Sequence, residues 1–348
     1  MANAWVGGEL PQSDLMDFER AAWQKIAPAV ASYPSTKTNG LALLVDDRNG
    51  YFITYGEVEK SFTGKANGKP VTFKLVSSDE VSHLSLLKAE GWKPGEVQEL
   101  KPIARRDIRA GTPLLVAFAG GTVRGEMASN GMLGYERATR RMTSLNELRF
   151  ELPETNIAGA LVFTRDGQFV GVLSASLQAA GTQNSRGGTG NFAGATPGGQ
   201  PNNGVGGQSG GGEIRGQLTD NNAMKRSFGP RDMTTAYTLG PEIMRRVLKG
   251  FASSDHVVKH PAVGLFVKDS PVMMGGVIVQ SVTEKSPAEE AGVHAGDTIL
   301  SMDNTPIKTT TDFAWFLLNL EAGQVVRVKL LRDQMQVTVM IKVGIAAD

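Results

Sequence analysis

The chain has 348 residues, of which 41% are hydrophobic and 20% are charged, so it can form sizeable cores and is expected to hold two domains. Its 36 basic and 35 acidic residues nearly cancel, which excludes a strongly basic nucleic-acid-binding protein. The chain has no cysteine, so disulfide scaffolds, thiol nucleophiles and thiolate metal sites are excluded as well.

The sequence contains no membrane-spanning segment by composition, because no apolar run approaches the ~20 residues that a spanning helix needs. Residues 1–6 show neither the basic nor the apolar segment of a secretion signal. Two locations therefore stay open. The protein is cytoplasmic, or it is extracytoplasmic after removal of a signal peptide.

The first predicted element is a helix over residues 13–32, because Ser13 is a suitable N-cap and apolar residues follow at helical spacing. Residues 41–177 contain short apolar runs that alternate with turn sequences, such as those at 47–50 and 166–167. Short strands at this spacing predict an all-β barrel or sandwich.

A glycine-rich stretch follows at residues 181–217. It holds 14 of the chain's 42 glycines in the 36 residues from 181 to 216. Such a stretch has few side chains to bury and cannot offset the entropy lost on ordering, so its composition predicts a flexible segment, such as a linker between domains. A helix is predicted after it at 239–248, with Pro241 in its first turn.

The last ~90 residues alternate strands with short helices, which predicts an α+β domain. The predicted elements are strands at 276–282, 297–303, 325–331 and 335–343, a short helix at 286–292, and a longer helix capped by Thr311.

Residues 286–300, with the sequence SPAEEAGVHAGDTIL, resemble the core of PDZ domains of the bacterial protease-associated type. The resemblance covers about residues 255–345 and implies a PDZ domain at 255–348. Such a domain binds a peptide C-terminus as an added strand, and backbone N–H groups of a glycine-containing loop hold its carboxylate. The implied partners are therefore protein or peptide C-termini.

The matching loop is AVGLF at residues 262–266. The resemblance implies that the N–H groups at 263–265 bind the carboxylate and that one face of the following helix shapes the pocket for the last side chain. On its own, the loop motif is equally consistent with an ordinary strand start. The predicted peptide-binding residues are Val263, Gly264, Leu265, Phe266, Leu317 and Leu318.

The upstream sequence resembles the trypsin-like domain of HtrA-type proteases. The resemblance rests on GLALLVDDRNGYFIT at 40–54, IRAGTPLLVAFAG at 108–120 and NIAGALVFTRDGQFVG at 156–171. It implies a mainly β fold, with a trypsin-like double β-barrel over residues 1–250. It also changes the linker interpretation of residues 181–217, which become a disordered insertion before the last strand of the barrel, without a function of its own.

The three positions of the serine-protease triad are all replaced. The resemblance places Glu57 at the histidine position, His83 at the aspartate position and Ile157 at the serine position. Ile157 has no atom that can attack a carbonyl, so no catalytic residue is predicted. A hydrolytic site built on the nearby Thr155 is the alternative. Glu57 and His83 are expected to pair, in the main to satisfy two polar groups of a half-buried cleft.

No metal or cofactor is predicted, because His256, His260 and His294 lack ligand-like spacing to acidic residues. The predicted function is that of a peptide-binding or protein-binding scaffold or adaptor, a pseudoprotease whose PDZ domain captures peptide C-termini or extended segments. One alternative is an atypical serine endopeptidase of the HtrA type with non-standard catalytic residues. The other is a structural or assembly protein. The HtrA-type resemblance also implies an extracytoplasmic bacterial location and a homo-oligomer, usually a trimer.

Overall fold

A computed structural model describes residues 17–95, 97–137, 141–151, 156–180, 192–193, 224–227, 232–271 and 275–346. The chain forms two compact units. The first unit holds Met1–Gly188 and Asn222–Lys259, and the second holds Thr189–Asn221 and His260–Asp348.

The first unit begins with helix α1 (Asp17–Ile26), a 3₁₀ turn (Ala27–Ala29) and strand β1 (Val30–Ser32). The helix predicted over 13–32 therefore ends earlier than expected, and its first four residues lie outside the described part. Pro28 explains the early end, because proline lacks an N–H group and disfavours helical geometry in the residue before it.

The first barrel contains β1 and five further strands, β2 (Leu41–Asp46), β3 (Tyr51–Tyr55), β4 (Ser61–Ala66), β5 (Lys69–Asp79) and β6 (Leu84–Ala89). These six antiparallel strands close the barrel in the order β1-β2-β3-β6-β5-β4. Its core includes the fully buried rings of Phe52 and Phe73, which meet edge to face at 5.3 Å.

A second sheet follows after a 3₁₀ turn (Arg105–Asp107). The next strands along the chain are β7 (Pro113–Phe118), β8 (Gly121–Glu136), β9 (Met142–Glu151), β10 (Leu161–Thr164), β11 (Phe169–Ser174), β12 (Leu177–Ala179), β13 (Phe192–Ala193), β14 (Met224–Ser227) and β15 (Asp232–Leu239).

This sheet has the order β11-β10-β7-β8-β9-β15-β14, with β12 paired to β8. An additional pairing of β11 with β15 closes a ring of six strands. Helix α2 (Pro241–Phe251) follows directly. The prediction of a mainly β, trypsin-like double barrel is confirmed.

The second unit is a mixed domain of strands and short helices. Besides β13, its elements are β16 (Pro261–Ala262), β17 (Leu265–Asp269), β18 (Val277–Val282), α3 (Pro287–Glu290), β19 (Thr298–Met302), β20 (Thr305–Pro306), α4 (Thr310–Leu318), β21 (Val325–Arg332), β22 (Met335–Lys342) and β23 (Gly344–Ile345). Its main sheet has the order β13-β17-β18-β19-β21-β22. Strand β20 pairs with β19, and β16 pairs with β23.

The predicted N-cap of α4 is wrong by two residues. Thr309, not Thr311, accepts a hydrogen bond from the N–H of Asp312, and the Asp312 carboxylate accepts from the N–H of Thr309. This reciprocal capping box fixes the helix start, because it satisfies two backbone donors at once.

The prediction of a flexible glycine-rich insertion lies largely outside the described residues. Its described part is strand β13, which belongs to the second unit. Within the described part of the chain, no helix is both long enough and apolar enough to span a membrane.

Candidate functional site

The first two triad positions lie close together at the end of β3. Gly56, with a positive φ of 86°, donates its N–H to the carbonyl of His83 at 2.7 Å. The side chain of Glu57 is exposed, and it makes no hydrogen bond or ion pair with any described residue. The structure thus brings the two segments together without joining the two side chains.

The imidazole of His83 has a different carboxylate partner. Its Nε2 lies 3.3 Å from Oε1 of Glu136 at the end of β8. The Glu136 side chain is 3% exposed, whereas that of His83 is 35% exposed. The expected Glu57–His83 pair is therefore wrong, because the buried carboxylate of Glu136 is the acceptor for this ring.

Ile157, the residue predicted at the serine position, is part of the hydrophobic core. Ile157 is 1% exposed and packs in the core of the second barrel with Val116, Leu173 and other aliphatic residues. Ala160, three residues later, is fully buried in the same cluster. A side chain at position 157 therefore contributes to barrel packing and presents no nucleophile.

The backbone after Ile157 is also occupied by internal hydrogen bonds. The N–H of Ala158 donates to Oδ1 of Asn156 at 2.9 Å, and the N–H of Gly159 donates to the carbonyl of Leu173 at 2.9 Å. The N–H of Ala160 donates to the carbonyl of Ile157 at 3.1 Å. An oxyanion hole requires donors that are free to face the substrate, and these three are not free.

The predicted carboxylate-binding loop has the geometry of an anion site. Gly264 has a φ of 76°, and its carbonyl accepts from the N–H of Thr283 at 2.9 Å. The carbonyl of Val263 accepts from the N–H of Ala288 at 3.0 Å. Both carbonyls are thereby fixed, while the N–H groups of Val263 and Gly264 donate to no acceptor among the described residues. Successive free N–H groups around a left-handed residue form a concavity that binds anions.

Gly264 cannot be replaced without strain. A Cβ there would overlap the Cβ of Ser286 and lie 2.6 Å from its Oγ. Ser286 is fixed in place, because its hydroxyl is the N-cap of α3 and accepts from the N–H of Glu289. The close approach of the loop to α3 therefore requires glycine.

Thr283, beside this loop, was missed by sequence reasoning. A Cβ on Gly264 would lie 3.3 Å from the Cβ of Thr283. Its Oγ1 is buried and has no hydrogen-bond partner among the described residues. A lone threonine in a sequence gives no sign that its hydroxyl is buried beside this loop.

The predicted groove has β17 and α4 as its two walls. Asp269, at the end of β17, accepts a 2.6 Å hydrogen bond from the N–H of Thr310 at the start of α4. Phe266 on β17 is half-buried, Leu317 is half-buried against the core, and Leu318 is 8% exposed. The predicted peptide-binding residues thus lie on the loop, on β17 and on α4, and the side chain of Leu318 is buried. That they line one groove stays a prediction.

The Gly-Asp part of the PDZ-like motif is structural. Asp297 is 2% exposed, and its carboxylate accepts two hydrogen bonds from Arg332. Burial acts to raise the pKa of Asp297, but hydrogen bonds from Arg332 and from the N–H of His294 outweigh it, so the pKa lies below its ordinary value.

His256 and His260 lie in packed surroundings, whereas the side chain of His294 is exposed. Nδ1 of His256 lies 2.6 Å from the carbonyl of Phe251, and His260 is 6% exposed. Among the described residues, no group of three histidine, aspartate or glutamate side chains is placed to hold a metal ion.

Comparison with known proteins matches both units. Residues 250–343 match the PDZ domain family. The chain is 24% identical over 307 residues to the serine protease Do-like HtrB of Bacillus subtilis, which is 84% of this chain and 59% of that protein. It is also 24% identical over 303 residues to a probable periplasmic serine protease do/HhoA-like of Haemophilus influenzae, which is 84% of this chain and 55% of that protein.

A shorter match, 34% identical over 68 residues, is to a probable periplasmic serine endoprotease DegP-like of Rickettsia conorii. It covers 20% of this chain and 13% of that protein. The chain thus spans less than two thirds of the length of these curated relatives.

Solved structures show the same fold. The HtrA-type protease AlgW with a decapeptide superposes with a TM-score of 0.62 at 15% identity, over 95% of this chain and 99% of that chain. The serine endoprotease from Yersinia pestis superposes with a TM-score of 0.58 at 18% identity, over 96% of this chain and 100% of that chain. The resemblance to HtrA/Deg-type proteases with a PDZ domain is confirmed.

Proposed function

We propose that the chain is a peptide-binding adaptor or scaffold, a pseudoprotease whose second unit captures peptides and whose first unit performs no acyl transfer. The burial of Ile157 at 1% exposure in the barrel core carries the second half of this proposal. Acyl-enzyme chemistry needs a nucleophile beside a base. Ile157 has no heteroatom, and its side chain is enclosed by the barrel core.

The loop at 263–265 supports the peptide-binding half. The N–H groups of Val263 and Gly264 donate to no described acceptor, and they lie at the start of β17. A peptide that adds a strand to β17 would deliver its terminal carboxylate to these donors. The bond between Asp269 and Thr310 keeps β17 and α4 at a fixed spacing on either side of such a ligand.

A peptide screen tests this binding. The full chain is screened against random heptapeptides with free C-termini, and binders are measured by fluorescence anisotropy. Leu317→Lys, in the half-buried wall of the groove, is expected to weaken binding at least tenfold. Asn319→Lys adds the same charge at an exposed position of the same helix and is expected to leave binding unchanged. A screen that yields no binding peptide would contradict the proposal.

The alternative is an atypical serine endopeptidase, and the serine-protease names of the relatives from Bacillus subtilis and Haemophilus influenzae favour it. Incubation with unfolded casein and a fluorophosphonate probe separates the two functions. The proposed function predicts neither casein cleavage nor labelling. Cleavage that one serine or threonine substitution abolishes would establish the peptidase instead.

The names of two relatives include the word periplasmic. Together with the HtrA-type fold, they support our proposal of an extracytoplasmic location, which fractionation of the source cells tests. The homo-oligomer that the resemblance implies, a trimer in the usual case, is tested by light scattering on the full chain.

A further inference from the structure

The peptide-receiving edge of the second unit already carries a strand. Strand β13 pairs antiparallel with β17, with Phe192 opposite Val267 and Ala193 opposite Phe266. In the sheet order, β17 has β18 on one side and β13 on the other. Without β13, β17 would be an edge strand with unpaired backbone groups, which is the surface that β-augmentation uses.

The polarity of β13 is that of a bound C-terminal peptide. Because the pairing is antiparallel, the chain at Ala193 runs toward Leu265 and the loop before it. The pairing of β13 ends opposite Phe266, and the N–H groups of Val263 and Gly264 still donate to no described acceptor. The strand edge is therefore filled, while the carboxylate-binding donors are not.

We propose that Phe192–Ala193 is an internal ligand of this groove, which holds it closed to other peptides until one of them displaces it. The inference rests on the proposed peptide-binding function and adds an intrachain competitor to it. A peptide with a free C-terminus would make charge-assisted bonds to the loop that an internal segment, having no carboxylate there, does not make. That difference allows displacement of the internal strand.

The covalent link makes weak pairing effective. A ligand that is covalently joined to its site competes at an effective concentration on the order of 1 mM when the connection is short. A segment whose intrinsic Kd is about 0.1 mM would then close roughly nine tenths of the grooves and raise the apparent Kd of an added peptide about tenfold.

A double-proline variant tests the competition. Successive N–H groups of a strand point to opposite sides, so Phe192→Pro with Ala193→Pro removes whichever donor faces β17. Gly206→Pro with Gly207→Pro makes the same change elsewhere in the glycine-rich stretch and is the matched control. The probe is the labelled, acetylated and amidated heptapeptide TGNFAGA, the sequence of residues 189–195.

The probe is expected to bind the 192/193 variant at least tenfold more tightly than the wild-type full chain or the 206/207 variant. Equal affinity for all three proteins would overturn the internal-ligand proposal. So would the absence of probe binding to all three.

A cysteine cross-link tests the contact itself, and the natural chain has no cysteine to interfere. Paired residues of antiparallel strands have Cα atoms about 4.5–5.5 Å apart, which is within the range for a disulfide. Ala193→Cys with Phe266→Cys is expected to form an intrachain disulfide in most molecules under mild oxidation. Gly207→Cys with Phe266→Cys is the control for random encounter. A yield no higher than the control, or disulfides between chains, would overturn the proposal.

The two proposals fail in different ways. If peptides from the free-carboxylate screen bind the wild-type chain and the 192/193 variant with equal Kd, the groove binds peptides. In that case only the internal-ligand proposal is contradicted. If no library peptide binds either protein, the proposed function is contradicted. The cross-link yield then still decides whether Phe192–Ala193 pairs with β17.

Discussion

The Asp297 carboxylate accepts a hydrogen bond from Nε of Arg332 at Oδ1 and another from Nη2 at Oδ2, each at 2.7 Å. The same Nη2 donates to the carbonyl of Gly292 at 2.7 Å, so the pair connects the end of β21 to the loop after α3. The aspartate of the PDZ-like motif thus stabilises the domain.

Replacement of Asp297 by asparagine is expected to lower the free energy of unfolding by about 3 kcal/mol, because removal of one partner leaves the guanidinium of Arg332 without its counter-charge. Urea unfolding of the full chain, followed by a probe specific to the second unit, measures this loss. Asp333→Asn is the control. Asp333 is exposed and has a φ of 49°, which asparagine tolerates. Equal stability of the two variants would contradict the structural role.

The same pair predicts a pH dependence. The pKa of Asp297 is lowered in the folded chain, so its contribution to stability is fully present above the unfolded value of 3.8 and is lost as the pH falls through the folded value. The stability difference between the wild type and Asp297→Asn is therefore expected to be largest near about pH 7 and smaller near about pH 3. A difference that stays constant over this range would contradict the lowered pKa.

A serine at position 157 is not expected to restore proteolysis. The side chain at this position is buried in the core, and the N–H groups of Ala158 and Gly159 already have internal acceptors. Ile157→Ser is expected to cost about 3–5 kcal/mol, from a cavity and a buried hydroxyl, while Ile157→Val costs about 1 kcal/mol. Thermal unfolding and fluorophosphonate labelling of the two variants check this. Labelled, active Ile157→Ser protein would show that the site is competent.

Alanine substitutions at Gly264 and Gly292 test the loop geometry, because the two glycines have similar backbone angles but different surroundings. Their φ angles are 76° and 79°, but a Cβ on Gly264 would overlap Ser286, whereas one on Gly292 would meet no atom within 4 Å. Gly292→Ala is expected to cost about 1–2 kcal/mol from backbone strain alone. Gly264→Ala is expected to cost about 3 kcal/mol or more, because steric overlap adds to the strain. Equal losses in urea unfolding would show that the loop can move away from α3.

Much of the fold follows from the sequence pattern. Alternating apolar runs predicted the barrels, and the SPAEEAG motif placed Ser286 and Gly292 at the two ends of α3, where the structure has them. Other features were not predictable. Glu136 lies in a 16-residue strand, 53 residues from His83 in sequence, and only the barrel geometry brings the two together. Strand β13 has no sequence signal, because glycine-rich composition disfavours strands and the pairing depends on a partner.

The central claim, that the loop at Val263–Leu265 captures peptide C-termini, is tested most directly by one ratio of affinities. The strongest peptide from the screen is synthesised with a free carboxylate and with a C-terminal amide, and both forms are titrated into the full chain. The N–H groups of Val263 and Gly264, which have no acceptor in the described part of the chain, predict that the acid binds at least tenfold more tightly than the amide. Equal affinities of the two forms would contradict the account.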